Sequence, residues 1–256
     1  LLRGLTLEDM KIFVQNMEVA LQEEQTIREI CKQTDELLQA ETTEPETVEA
    51  VFHSRHVKTY TFEQVYFPSG TLMAADPICE LQSMYVPVIK ETIPSGYYPI
   101  TIGILDSELV GIRMTGMRLK VTEEEALSYQ AATMYKAKDK KEFRAAFPVD
   151  AGMSTFCDKE AAESYWKVLY VWYKEHPNGN WYNDYLADLF KESAEAYPDL
   201  QREGGDFIRF KIPESNNEIV MVATGFGDGI YQVFWGVDKN GKRCELVTLF
   251  VDPRKA

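Results

Sequence analysis

The last quarter of the chain constrains the fold most, because strand-like segments alternate there with strong turn signals. The segments "FIRFKIP", "EIVMVAT", "IYQVFWGVD" and "CELVTLFVD" are joined by "ESNN", "GFGDG" and "KNGK". The Asn240–Gly241 pair is typical of a type I′ hairpin. Two stretches, "IVMVA" and "LVTLFV", are apolar on both faces and predict central, covered strands. The pattern predicts an antiparallel meander whose core contains Val222, Val233, Phe234, Trp235 and Leu249.

The preceding residues mix short strands with helices. "HVKTYTFEQVYF", "ITIGILD" and "LVGIRMTGMRLKV" have the β-branched and aromatic content of strands and are separated by turn residues. Residues 122–146 are predicted to be helical, since Thr122 and Glu125 resemble a capping box. A second helical block is predicted over 158–197, where aromatic residues recur at helical spacing and "HPNGN" interrupts them. The predicted class is α+β, with antiparallel β-meander sheets covered by helices.

The N-terminal region has a different character. Residues 6–39 contain no Gly or Pro and carry an apolar stripe at helical spacing, which predicts a helix or two. Residues 41–49, "ETTEPETVE", are acidic and lack periodicity, so they are interpreted as a linker. We therefore expect an N-terminal helical extension over 1–45 and a single α+β domain over 50–256. The stripe needs a surface to pack on, either this domain or a second copy in a homodimer.

Composition excludes several functions. The chain has 27 Lys and Arg against 41 Asp and Glu, a net charge of −14, which disfavours nucleic acid as a partner. No apolar stretch of about 18 residues is present, so no membrane span is expected. Four cysteines without a CxxC pair exclude a zinc ribbon and favour free thiols in a reducing, cytoplasmic compartment. The chain begins with Leu1, which leaves room for a removed signal peptide. No metal or cofactor is expected.

The glycine-rich loop at residues 225–229, "GFGDG", matches no nucleotide or calcium motif. A dinucleotide loop precedes a helix, whereas a strand-like segment follows here. The GK[ST] of a phosphate-binding loop and the alternating acids of an EF-hand loop are missing from this stretch. The loop is therefore interpreted as a hairpin turn in which the glycines take positive φ and Asp228 caps its own turn.

Four motifs resemble one known family when they are taken in order. They are "SGTLMAADP" (69–77), "IPSGYYPITI" (93–102), "VDAGMSTFCD" (149–158) and "GFGDGIYQVFWGVDKNGK" (225–242). Together they resemble the bacterial family catalogued as domain of unknown function 4241, over roughly residues 60–252. The resemblance identifies related proteins, but it implies no activity and no mechanism. It groups a set of candidate site residues: Asp76, Asp150, Asp158, Gly227, Asp228, Gly229 and Tyr231.

Two functional hypotheses follow. The first is a non-enzymatic binding or interaction protein whose partner is another protein or a small ligand. The second is a carboxylate-based or metal-dependent hydrolase in which Asp76, Asp150 and Asp228 converge. Local N–H partners for each carboxylate would favour the first hypothesis, and carboxylates facing one another across a pocket would favour the second.

Overall fold

Strands form most of the fold. The computed structural model describes residue 25 and residues 40–81, 86–135 and 141–255 of the chain. The strands within these residues are β1 (Thr42–Thr43), β2 (Val57–Phe67), β3 (Leu72–Ala75), β4 (Val88–Ile89), β5 (Gly96–Ser107), β6 (Gly111–Lys120), β7 (Ser128–Ala131), β8 (Thr133–Tyr135), β9 (Glu142–Arg144), β10 (Ala146–Val149), β11 (Met153–Asp158), β12 (Phe207–Lys211), β13 (Glu218–Ala223), β14 (Gly229–Val237) and β15 (Arg243–Leu249).

Within the described residues from 40 onward, the helices are fewer than the strands and lie at two places in the sequence. Helix α1 spans Pro45–His53, α2 spans Lys159–Glu175 and α3 spans Ala187–Ala196, with a π-helical turn at Tyr182–Leu186 leading into α3. The predicted helical block over 158–197 is confirmed, including its interruption near "HPNGN". None of the described helices is long and apolar enough to cross a membrane.

The strands form three antiparallel sheets. The large sheet has the order β1-β7-β14-β15-β6-β5-β2, and β10 adds to β14. A second sheet has the order β12-β13-β11-β3, and a small third sheet joins β4, β8 and β9. The α+β class with antiparallel sheets is therefore confirmed.

Alternation along the strands arranges these elements in layers. On β12, Phe207 packs on Tyr60 and Phe62 of β2, whereas Phe210 points the other way and packs on Tyr165 of α2. Period-two side-chain alternation thus places the four-stranded sheet between the large sheet and helices α2 and α3. The five predicted core residues are all buried: Val222, Val233, Phe234, Trp235 and Leu249.

Helix α1 covers the other face of the large sheet, where the sequence predicted a linker. Pro45 occupies the start of the helix, a position that tolerates a missing N–H. Val48, Val51 and Phe52 are buried in one cluster with Phe234 and other residues of the sheet. The prediction that residues 41–49 form a linker is wrong. Residues 45–53 form a helix, and its three buried apolar side chains pack against the large sheet.

The predicted helix over 122–146 is also wrong. Strands β7, β8 and β9 lie there, and β7 pairs with both β1 and β14. Tyr129 of β7 donates a 2.6 Å hydrogen bond to the buried carboxylate of Glu245 on β15. Pairing and burial within the sheet override the helix-favouring local sequence. Apart from residue 25, the predicted helix at 6–39 lies outside the described residues, so the extension and the domain division stay predictions.

The C-terminal strands do not form one meander. β12 pairs with β13, and β14 pairs with β15, but the two hairpins belong to different sheets. The loop between β13 and β14 therefore crosses from the four-stranded sheet to the large sheet, and the predicted hairpin turn at 225–229 is wrong.

The β14–β15 hairpin is confirmed, with a different turn from the one predicted. Gly241 has φ +75°, whereas Asn240 does not have the positive φ that a type I′ turn requires. Asp238 N donates to Lys242 O at 2.8 Å, and the Asp238 carboxylate accepts from Asn240 N and Lys242 N. The aspartate thus stabilises a three-residue loop.

Candidate functional site

Asp76 holds two motif segments together. It follows β3 and is fully buried. One carboxylate oxygen accepts from Ile78 N (2.8 Å) and Cys79 N (3.1 Å), and the other accepts from Asp150 N (3.0 Å) and Ala151 N (2.8 Å). These four N–H donors satisfy the acceptor capacity of the buried carboxylate. Asp76 therefore shapes the site and has little capacity left to bind a ligand directly.

Asp158 has a similar role at the start of α2. Its carboxylate caps the helix by accepting from Glu160 N at 2.8 Å. It also accepts from Ser69 N, Ser69 Oγ and Gly70 N at 2.8–3.0 Å. Asp158 thus ties the turn before β3 to the helix, and it is itself buried, at 1% exposure.

The motif segments around residues 150 and 228 meet in space. In the pairing of β10 with β14, Val149 lies opposite Gly229. Asp150 and Asp228 continue from this pair at the same end of the strands, and both are exposed. Thr224 N donates to Gly152 O at 2.9 Å, which holds the second segment against the first.

The loop at 224–228 is closed by hydroxyl groups. Thr224 Oγ1 donates to Gly227 O at 2.7 Å, and the buried Tyr231 hydroxyl lies 2.8 Å from the same carbonyl. Within the described part of the chain, the Asp228 carboxylate accepts no hydrogen bond, so the prediction that Asp228 caps this turn is wrong. Thr224 was not among the predicted site residues, although a Thr three residues before a turn glycine is a recognisable signal.

Only part of the prediction for the glycines is correct. Gly225 and Gly227 have φ values of +68° and +104°, which L-residues with side chains rarely adopt. Gly229 is the first residue of β14 and does not have a positive φ. The two glycines with left-handed backbone therefore lie in the loop between β13 and β14. Strand β14 begins after them, at Gly229.

Three of the candidate aspartates influence one thiol. Burial, followed by the charges of Asp76 and Asp150, raises the pKa of Cys79 to about 11, and Asp228 adds to the effect. Cys79 is partly exposed and forms no disulfide. At neutral pH the thiol is protonated and therefore a weak nucleophile. Among the described residues, no cluster of three His, Cys, Asp or Glu side chains is arranged to hold a metal ion.

Two neighbouring cavities open beside these segments, and we call them together the motif cleft. The larger cavity, of about 440 Å³, is lined by Cys79, Tyr173, Asn180, Trp181 and Asn183, among others. The smaller cavity, of about 280 Å³, is lined by residues that include Arg113, Gly152, Arg202, Gly205, Gly225 and Gly227. Ala151, Met153 and Tyr182 line both cavities. The larger cavity is in the lower range of small-molecule sites, and the smaller cavity lies just below that range.

The sequence identified the framework of this cleft better than its lining. Of the candidate residues, Gly227 lines the cleft directly, whereas Asp76 and Tyr231 hold the segments that form it. Arg113, Tyr182 and Arg202 lie outside the four motifs, and no local pattern connects them with the glycines. Only the packing of β6, the π-helical turn and the 201–206 loop brings these side chains to the same place.

A comparison with family models gives one match. The model described as protein of unknown function (DUF4241) matches residues 65–248, which include every residue named for the motif cleft. No curated protein and no solved structure matches the chain.

Proposed function

This chain belongs to the family described as protein of unknown function (DUF4241), and we propose that it is a binding protein that takes a small molecule into the motif cleft. The observation that carries this proposal is the assembly of the cleft from motif segments. Residues 151–153 and 225–227 come from separate motifs, and Asp76 and Thr224 hold them together beside an open cavity.

The environments of the Asp76 carboxylate and the Cys79 thiol favour a binding function over hydrolysis. Both oxygens of Asp76 are engaged by backbone N–H groups, so it is poorly suited to act as a general base. The raised pKa of Cys79 disfavours nucleophilic attack by its thiol at neutral pH. The alternative, a hydrolase using Asp76, Asp150 and Asp228, would depend mainly on the two exposed aspartates.

The proposal also includes the cellular location, the class of partner and the oligomeric state of the protein. Cys79, Cys157 and Cys244 are free thiols, which supports a reducing, cytoplasmic location. The net charge of −14 supports a partner other than nucleic acid. A homodimer formed through residues 1–45 is compatible with this function, because the residues that line the cleft all lie between positions 78 and 227.

The test is a small-molecule screen that compares the natural chain with two variants. Ala151 lines both cavities, so Ala151→Leu should fill the junction between them and abolish stabilisation by the hits. Ala196→Leu, at an exposed position at the end of α3, is the matched control and should leave the hits unchanged. Thermal unfolding of the three proteins provides the measurement. Hits that stabilise Ala151→Leu as well as the natural chain would place binding elsewhere and contradict the proposal.

The hydrolase alternative is tested separately, with a panel of ester and phosphoester substrates. Under that hypothesis Asp228→Asn should abolish turnover while the fold remains intact. Under the binding hypothesis, neither the natural chain nor the variant should turn over any member of the panel.

A further inference from the structure

We propose that the open edge of strand β12 is a docking site for an extended peptide of a partner protein, which adds to the four-stranded sheet as a further strand. β12 stands at one end of the order β12-β13-β11-β3. The site is separate from the motif cleft, since within the described chain its lining shares no residue with either cleft cavity. The peptide that fits it carries an apolar side chain two positions from a basic one.

The hydrogen bonds to β13 show which backbone groups of β12 face its open edge. Ala223 N donates to Asp206 O at 2.7 Å, and Ile212 N donates to Asn217 O at 3.0 Å. Along an antiparallel ladder, residues that bond to the neighbouring strand alternate with residues whose backbone groups point away from it. The even-numbered residues of β12 therefore bond to β13, and the backbone groups of the odd-numbered residues point toward the open edge. The odd-numbered residues are Phe207, Arg209 and Lys211.

Side chains occupy the first of these positions and leave the other two open. Phe207 N donates to Gln201 Oε1 at 2.8 Å, and Phe207 O accepts from Ser193 Oγ at 2.7 Å. The backbone N–H and C=O groups of Arg209 and Lys211 have no hydrogen-bond partner among the described residues. Unpaired groups along a strand edge are a template for a further strand. An extended peptide can therefore form backbone hydrogen bonds to both residues.

A cavity of about 490 Å³ lies along this edge. Its wall contains four consecutive residues of β12, 208–211, and on the helical side Tyr185, Leu189, Glu192 and Ser193. Since successive side chains of a strand point to opposite faces, a cavity over one face would be lined by every second residue. The contact with four consecutive residues therefore places this cavity beside the edge, in the position of an added strand.

The helical side of the cavity combines apolar surface with a carboxylate. The ring of Tyr185 stacks on Trp181 with 4.3 Å between the ring centroids, and Leu189 packs against the hydrophobic core. Glu192 is exposed and forms no ion pair among the described residues. An apolar peptide side chain fits beside Tyr185 and Leu189, and a basic side chain on the same face, two positions along, fits beside Glu192. The net charge of −14 also attracts a basic segment.

Contacts of the Arg209 side chain hold this edge in place. Its Nη1 donates to Glu63 O at 2.8 Å and its Nη2 donates to Gln64 O at 2.9 Å, both on β2. Nε and Nη2 also donate to the carboxylate of Glu218 at 2.7 and 2.6 Å. The side chain thus covers the backbone of β2, while the backbone of Arg209 stays open. Because β12 is already fixed, a peptide that pairs with it loses less conformational entropy on binding.

The probe is a phage-displayed library of random peptides of about ten residues, selected on the immobilised full chain. We expect enriched peptides to share an apolar residue two positions from Lys or Arg. The most enriched peptide is synthesised, and its effect on amide hydrogen exchange is measured by NMR. Without peptide, the amides of Arg209 and Lys211 should exchange rapidly and those of Ile208 and Phe210 slowly. The bound peptide should slow exchange at Arg209 and Lys211 by about tenfold or more.

A proline substitution tests the backbone contact directly. Lys211→Pro removes the N–H that faces the open edge, and an edge strand tolerates proline there because the bonds to β13 remain. It should weaken the Kd of the synthesised peptide by about tenfold or more, as measured by fluorescence anisotropy. Lys211→Thr is the matched control, since it loses the same side chain and keeps the N–H. Its Kd should stay within about twofold of that of the natural chain.

A second pair of variants decides the matter should Lys211→Pro fail to fold. Glu192→Lys reverses the charge beside the cavity and should weaken the Kd by about threefold or more. Glu195→Lys lies at an exposed position of the same helix, outside the cavity wall, and should leave the Kd unchanged. Both variants change the net charge equally, so a difference between them reports the local contact.

Three results would overturn the proposal. The first is a selection that enriches no peptide for the natural chain. The second is a selected peptide that binds folded Lys211→Pro and Glu192→Lys as tightly as the natural chain. The third is slow exchange of the Arg209 and Lys211 amides without peptide, which would mean that another segment of this chain or a second copy already occupies the edge. The small-molecule screen of the motif cleft is independent of all three results.

Discussion

At the scale of single residues, the glycine-rich loop shows that glycines of one sequence motif can differ in backbone conformation. Gly227 and Gly229 belong to the same motif, yet only Gly227 needs a positive φ. A Cβ at Gly227 would have no atom within 4 Å, so its requirement is one of backbone conformation alone. A Cβ at Gly229 would be 3.4 Å from the ring of Tyr231, an ordinary contact on a strand.

This difference leads to a paired prediction. Gly227→Val should lower the free energy of unfolding by roughly 1–3 kcal/mol, since a β-branched residue is strained at φ +104°. Gly229→Val should change it by less than about 1 kcal/mol, because valine is favourable in a strand. Chemical denaturation of both variants measures the difference. Equal losses would show that the motif glycines serve packing and not backbone conformation.

At the scale of secondary-structure elements, buried aspartates connect the ends of strands and helices. Asp158 ends β11, caps α2 and binds the backbone of the turn that precedes β3. A single carboxylate thereby fixes three elements relative to one another. The candidate site residues Asp76 and Asp158 are both of this kind, and their contribution to the cleft is the position of its walls.

Asp158→Ala should therefore destabilise the protein by about 3 kcal/mol or more. This expected loss combines a lost helix cap with the N–H groups of Ser69 and of the buried Gly70, which lose their acceptor. Asp188→Ala, in the exposed first turn of α3, is the control and should cost less than about 0.5 kcal/mol. Urea midpoints of the two variants give the comparison. A small loss for Asp158→Ala would mean that water replaces the carboxylate.

At the scale of the whole molecule, the large sheet is covered on both faces. The four-stranded sheet and helices α2 and α3 cover one face, and α1 covers the cluster that contains Phe234, Val247 and Leu249 on the other. Every described layer begins after residue 39. We therefore predict that the domain begins near residue 40, before β1 and α1.

Two truncations test that boundary. Removal of residues 1–39 should leave a cooperatively folding protein. Removal of residues 1–53 should lower the free energy of unfolding by about 5 kcal/mol or more, since it removes Val48, Val51 and Phe52 from the core. Size-exclusion chromatography and denaturation of both fragments provide the readout. Loss of folding on removal of 1–39 would show that the N-terminal segment belongs to the core.

The sequence by itself determined the elements whose signals are local. Apolar segments bounded by turn residues define β12 to β15, the helical spacing of aromatic residues indicates the helical block over 158–197, and the apolar residues of β13, β14 and β15 identify the core. Only the tertiary structure decided that β13 and β14 belong to different sheets, that residues 128–135 and 142–144 pair as strands, and that Arg113 and Arg202 reach the glycine loops. Strand partners and cavity walls depend on contacts between residues far apart in the sequence, and a local pattern carries no information about which surfaces such contacts bring together.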